Sequence, residues 1–134
     1  MSLKIRLYES KEEKCNIPEK YLDSDALIDL LEFSCIMQIE IDGVMYLDEG
    51  ICPLEMRYAI KNWLNKINRG NACDFNYITE DDSKNPVLKF SFNGARYNIN
   101  SVHQIYNCNK SFSLNDLKNF CEQFELELKK FIIS

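Results

Sequence analysis

The sequence predicts an α+β fold: a mainly antiparallel sheet with two hairpins, one face covered by two amphipathic helices. Two pairs of observations predict it. Apolar and polar residues alternate on both sides of Asp42-Gly43 and again on both sides of Asn93-Gly94, the period-2 mark of half-buried strands joined by tight turns. Two other stretches, after Pro53 and after Ser113, repeat apolar residues at helical spacing. With 134 residues, 46% of them apolar, the chain suits a single domain over residues 1–134. Such a chain buries roughly two thirds of its unfolded surface and needs no staples.

Each element follows from its own pattern. Leu3, Ile5 and Leu7 alternate with Lys4, Arg6 and Tyr8, a half-buried first strand. The polar run 9–20 reads as a surface loop. Ser24 is a candidate cap for a short helix carrying Leu27, Leu30 and Leu31. In the first hairpin Cys35, Met37, Ile39 and Ile41 alternate with Ile36, Gln38, Glu40 and Asp42. A two-residue turn then sets Ile41 opposite Val44 and Ile39 opposite Tyr46, one apolar surface. Pro53 suits a first helical turn, and Met56, Ile60, Trp63, Leu64 and Ile67 form the stripe that Gly70 ends.

Phe75 and Tyr77 mark a short strand, and 80–85 a polar, acidic loop. In the second hairpin Leu88, Phe90 and Phe92 lead to Asn93-Gly94, with Phe92 facing Ala95 and the same face continuing through Tyr97 and Ile99. Val102 to Tyr106 extends this sheet. Ser113 and Asp116 resemble a capping box, and Leu114, Leu117, Cys121, Phe124, Leu128 and Phe131 follow as a seam of spacings 3 and 4. The seam is short for a coiled coil, so packing onto the sheet is its expected use. The uncovered sheet face then carries Gln38, Glu40, Lys89, Arg96 and Asn98.

Composition excludes several classes. No stretch approaches the roughly 18 apolar residues of a membrane span, and the N-terminus lacks the apolar core of a signal peptide, so the expected location is the cytoplasm. The six cysteines are widely spaced with no close pair, and His103, the one histidine, has no ligand-spaced partner, so buried free thiols and no metal are expected. No Gly-rich phosphate loop or nucleophile elbow is present, and no cofactor is implied. An enzyme would need a dispersed site, for example Tyr106 and His103 with an acid.

Charge is uneven. Residues 1–50 hold 5 basic and 12 acidic side chains, and the remainder 11 and 9, for a net −5. The acidic first part disfavours nucleic acid and favours a basic protein partner. The candidate binding residues are the acids on turns and wet strand positions: Glu40, Asp42, Asp48 and Glu49 around the first hairpin, and Glu80, Asp81 and Asp82 on the later loop.

Asn85-Pro86-x-Leu88-x-Phe90, then Gly94, Tyr97, Ile99 and Ser101 before a C-terminal amphipathic helix, resembles small uncharacterised bacterial proteins of the immunity-protein, toxin-neutralising type. Ile39-x-Ile41-Asp42-Gly43, then Pro53-Leu54-Glu55 and Trp63-Leu64, fits the same plan, so the resemblance spans roughly residues 35–130. It implies a cytoplasmic inhibitor that binds a cognate toxin domain, often a nuclease, and blocks its active site or substrate surface; the shared apolar face of the hairpins and the two helical stripes separately predict a monomer or weak homodimer. It assigns no functional residue. A structural or adaptor domain, dimerising through the C-terminal seam, is the other reading.

Overall fold

A computed structural model of the chain describes residues 2–79 and 86–134. The mixed helix and strand content makes the fold α+β, and its larger sheets are antiparallel. The strands are β1 (Leu3–Tyr8), β2 (Ile17–Pro18), β3 (Cys35–Ile41), β4 (Val44–Ile51), β5 (Phe75–Tyr77), β6 (Leu88–Phe92), β7 (Tyr97–Asn100), β8 (Ser111–Phe112) and β9 (Ile132–Ile133). The helices are α1 (Leu27–Leu30), α2 (Pro53–Asn68) and α3 (Leu114–Lys129), with a 3-10 turn over Glu19–Asp23.

The hairpins do not share one sheet. The first belongs to a three-stranded sheet of order β1-β3-β4, and the second to a four-stranded sheet of order β5-β6-β7-β8. The edges of the first sheet explain the division. On the outer edge of β1, the N–H groups of Ile5 and Leu7 donate to the side chains of Gln123 (3.1 Å) and Glu127 (3.0 Å) of α3. Residues four apart on a helix rise about 6 Å, and residues two apart on a strand about 6.6 Å, so one helix face matches one strand edge. On β4, the carbonyl of Tyr46 accepts from Ile105 N–H at 2.8 Å. Covered edges cannot template another strand.

Both sheets and the two long helices nevertheless meet in one core. Ile5, Met37 and Ile39 of the first sheet, Phe90 and Tyr97 of the second, Trp63 of α2 and Leu117, Phe120, Phe124 and Leu128 of α3 are all buried in one cluster. Trp63 stands edge-on to Phe75 and to Tyr97, with ring centroids 6.0 Å away in each case, and Phe90 meets Phe120 at 5.5 Å. Trp63 Nε1 donates to the carbonyl of Cys73 at 3.0 Å, so the indole is buried without an orphaned donor. The seam of α3 is thus spent inside the chain.

Helix ends follow local chemistry closely. Ser113 Oγ accepts from Asp116 N–H (3.1 Å) while Asp116 Oδ2 accepts from Ser113 N–H (2.9 Å), a complete capping box with aspartate in place of glutamate. At the end of α2, Gly70 has φ +84° and donates to Ile67, and Asn71 donates to Lys66, the paired bonds of a Schellman motif. Ser24 does not cap α1; Ala26 does. The Ser24 hydroxyl instead donates to Asp29 at 2.6 Å and accepts from Ala26 N–H.

Four further expectations change. Ile41 pairs with Val44 as expected, but Ile39 pairs with Leu47, because a bulge follows Glu40↔Met45 and leaves Tyr46 as the extra residue. Tyr46 and Leu47 are both fully buried, and strict alternation would have exposed one of them. Val44 stays 56% exposed at the tip. In the second hairpin the pairs are Phe92↔Tyr97 and Phe90↔Ile99, with Asn93 N–H donating to Arg96, so the loop is Gly94-Ala95. Asn93 Oδ1 accepts from both Ala95 N–H and Arg96 N–H, which draws the asparagine out of the loop position, while Gly94 supplies φ +98°. The apolar face survives, because the partner of each strand residue shifts by two. Residues 102–106 form turns rather than a strand, and β8 takes the edge beside β7. Within the run 9–20, Ile17 is fully buried and β2 pairs in parallel with β9.

Candidate functional site

The register of the first sheet lays out its outer face as three cross-strand rows. They are Tyr8, Ile36 and Gly50; Arg6, Gln38 and Asp48; and Lys4, Glu40 and Met45. Opposed residues in a sheet share a face. The alternate residues Ile5, Leu7, Met37 and Ile39 are buried, which fixes the other face as the core side. Tyr8 is 39% exposed, and Ile36 and Met45 are half-buried, so large apolar groups lie among the charges.

The bulge at Tyr46 decides which acids reach this face. It turns Asp48 outward, opposite Gln38, whose amide donates to Asp48 Oδ1 at 3.4 Å. It turns Glu49 to the side of Met37. There the Glu49 carboxylate lies 4.0 Å from Nδ1 of His103, both side chains being well exposed. Glu40 lies between Lys4 and Met45. Asp42 is committed elsewhere. At the turn, with φ +52°, it pairs with Lys110 and accepts from Ser2 N–H at 2.6 Å, and these bonds, the lysine's first, hold its carboxyl below the ordinary range. Glu80, Asp81 and Asp82 lie outside the described residues.

The expected acidic group is therefore divided. Glu40 and Asp48 share the outer face, Glu49 faces His103, and Asp42 ties the N-terminus to the segment before β8. On the β1 side the face is cationic: Lys4 and Arg6 stand beside Glu40 and Gln38. Tyr8, as a hydrogen-bond and charge partner, and then Glu40 raise the Arg6 pKa, so its charge is secure. Tyr8, Ile36 and Met45 were not singled out from sequence as site residues. Their signal was present, since they occupy the polar phase of strands whose other phase is the core.

Of the dispersed catalytic grouping, His103 meets an acid and Tyr106 meets another ring. Tyr106 packs edge-on against Tyr46 at 5.5 Å, whose hydroxyl donates to Gln104 at 2.6 Å, while His103 faces Glu49. Among the described residues no group of three or more His, Cys, Asp or Glu side chains is placed to hold a metal ion, and no helix is long and apolar enough to cross a membrane. No curated protein and no solved structure matches the chain. A family model does match residues 8–134, nearly the whole chain, and the protein belongs to the family described as Domain of unknown function (DUF7878).

Proposed function

We propose that the protein is an immunity-type inhibitor, a cytoplasmic binding protein and not an enzyme, that docks a cognate toxin domain on the open face of the β1-β3-β4 sheet. The observation that carries this reading is the composition of that face. Tyr8, Ile36 and Met45 supply apolar contact, and Glu40 and Asp48 supply charge on the β3–β4 side. Interfaces combine apolar anchors with a polar rim in this manner. The charge of Glu40 and Asp48 favours a basic partner such as a nuclease with a cationic substrate groove. The adaptor reading loses its proposed contact, since Leu117, Cys121, Phe124 and Leu128 are buried within the chain.

The test first seeks a toxin domain among the neighbouring genes and then measures its association with this chain. Reversing Glu40, Asp48 and Glu49 to lysine should slow association by about tenfold or more at low salt, with the difference shrinking at high salt. Reversing Glu80, Asp81 and Asp82 forms the second arm. An association rate that neither group nor salt alters would rule out recognition through the acidic surface.

A further inference from the structure

The outer face of the β1-β3-β4 sheet carries a glycine that its own chain does not explain. Gly50 lies within β4, where glycine weakens a strand and marks a bulge, a bend or a close approach from outside. The bulge of β4 is at Tyr46, and pairing runs in register through Ile36↔Gly50 to Cys35↔Ile51, so Gly50 makes neither bulge nor bend. It has no positive φ, and a Cβ built on it would meet nothing within 4 Å. What remains is close approach by another molecule. Gly50 and Ile36 line a groove of about 470 Å³ with Ser10, Leu31 and Thr79, ample for an aromatic ring.

The same face is balanced in charge. Lys4 and Arg6 lie on β1, Glu40 on β3 and Asp48 on β4, two cations and two anions in a chain of net charge −5. Oligomers close most often through a two-fold axis, which sets one patch against its own copy. Packed sheets keep their strands within about 30° of one another. With the axis along β3, the central strand, each row of the face meets the same row of a second copy turned left to right. Arg6 then opposes the other copy's Asp48, twice over, and Tyr8 opposes its Gly50. Gln38 and Ile36 meet their own copies, and Lys4 opposes Met45. Glu40 alone meets a like charge, with Lys4 beside it on each copy. An axis across the strands would instead set Arg6 on Arg6 and Asp48 on Asp48. Lys130 Nζ stands 6.0 Å from the centroid of the Tyr8 ring and steadies it.

We propose that this face pairs with a second copy of the chain, sheet on sheet about a two-fold axis along β3. Each Tyr8 ring seats over the other copy's Gly50, and each Arg6 pairs with the other copy's Asp48. The nine residues of the three rows fall short of the roughly 20–30 a side of a standard interface, so the dimer is weak and concentration-dependent. The toxin-docking reading uses the same face. A bound toxin domain and a second copy therefore exclude one another, and that consequence alone rests on that reading.

Sedimentation velocity on the full chain at low salt, across roughly 10 μM to 1 mM, tests the pairing without any toxin. The mass should rise from 15.8 kDa toward twice that value. Arg6→Asp and Asp48→Arg should each weaken self-association by about tenfold or more, since like charges then face each other. An equimolar mixture of these two variants should associate at least as well as the wild type, because every pair across the axis is again of opposite sign. Gly50→Val puts a strand-forming residue where a Cβ meets nothing, so it should keep or raise the urea midpoint and yet abolish the dimer. A chain still monomeric at about 1 mM, a mixture that stays monomeric, or a dimer indifferent to Gly50→Val would each overturn the pairing, whether or not a toxin domain binds.

Discussion

The two sheets bury one face each in the same core and treat their other faces differently. On the four-stranded sheet the outward rows are Asn76, Lys89 and Asn100, then Ser91, Asn98 and Ser111. These are amides and hydroxyls with one cation, and Arg96 spends its guanidinium on Ser111, donating to its hydroxyl at 2.7 Å and its carbonyl at 2.9 Å. The three-stranded sheet instead mixes Tyr8, Ile36 and Met45 with charges of both signs. A face needed only for solvation has no use for a tyrosine and an isoleucine side by side. The contrast is what directs the binding proposal to the first sheet.

Shared burial should dominate any substitution. Leu117→Asp places an unpaired charge at a site 1% exposed and should unfold both sheets together, at a cost of more than about 4 kcal/mol. Leu126→Asp, on the same helix but 65% exposed, should change stability by less than about 0.5 kcal/mol. Circular dichroism during urea unfolding checks both. Retained stability in Leu117→Asp, with loss only of self-association, would return the seam to an oligomer interface. Phe90→Ala and Ile39→Ala, one beneath each sheet, should each lower stability within a single cooperative transition, by about 3–5 and 2–5 kcal/mol. Two separable transitions would break the shared-core comparison.

The next effect concerns the edge of the first sheet. Gln123→Ala leaves the Ile5 N–H without its partner and should cost about 1–3 kcal/mol. Glu127 adds pH dependence. Burial opposes its ionisation, but bonds from Lys130 and Leu7 N–H outweigh this and hold its pKa below the ordinary value. Its contribution to stability is present above the ordinary carboxylate range and is lost as pH falls through the lowered folded value. Denaturant midpoints should therefore drop on acidification through that window, and Glu127→Gln should flatten the drop.

Face-specific changes are smaller for folding and selective for binding. Lys89→Glu and Asn98→Asp on the second sheet should leave toxin association within about twofold, while the Glu40, Asp48 and Glu49 reversals slow it. Equal slowing by both sets would erase the functional difference between the faces. Least affected should be the core thiols under a bulky alkylating reagent. Cys121 is 8% exposed, and burial pushes its thiol up to about 12, so mass spectrometry should find it and Cys35 labelled last. Zinc found by elemental analysis would contradict this reading of the cysteines.

Much of this was legible because local chemistry writes it directly. β1, the tip at Asp42-Gly43, the stripe of α2 with its Gly70 ending, and the Ser113/Asp116 box all appear where alternation, turn residues and caps place them. The bulge left a trace in the adjacent apolar pair Tyr46-Leu47, which breaks the alternation, but its location is set by Tyr46 finding Gln104 and Tyr106 across the chain. The acids were legible as acids. Their division among an open face, a histidine and a lysine was not, because one extra residue in a strand exchanges the faces of everything beyond it.

By itself, then, the sequence determined which side of each helix and strand is apolar and where most of them turn or end. Tertiary structure alone decided that the hairpins lie in separate sheets, that Ile17 pairs with Ile132 from the far end of the chain, and that α3 completes the edge of β1 through Gln123 and Glu127. The physical reason is that periodicity reports a residue's need for burial but carries no address for the partner. The partner is selected by which long-range arrangement satisfies the leftover edge N–H groups and closes the core at once.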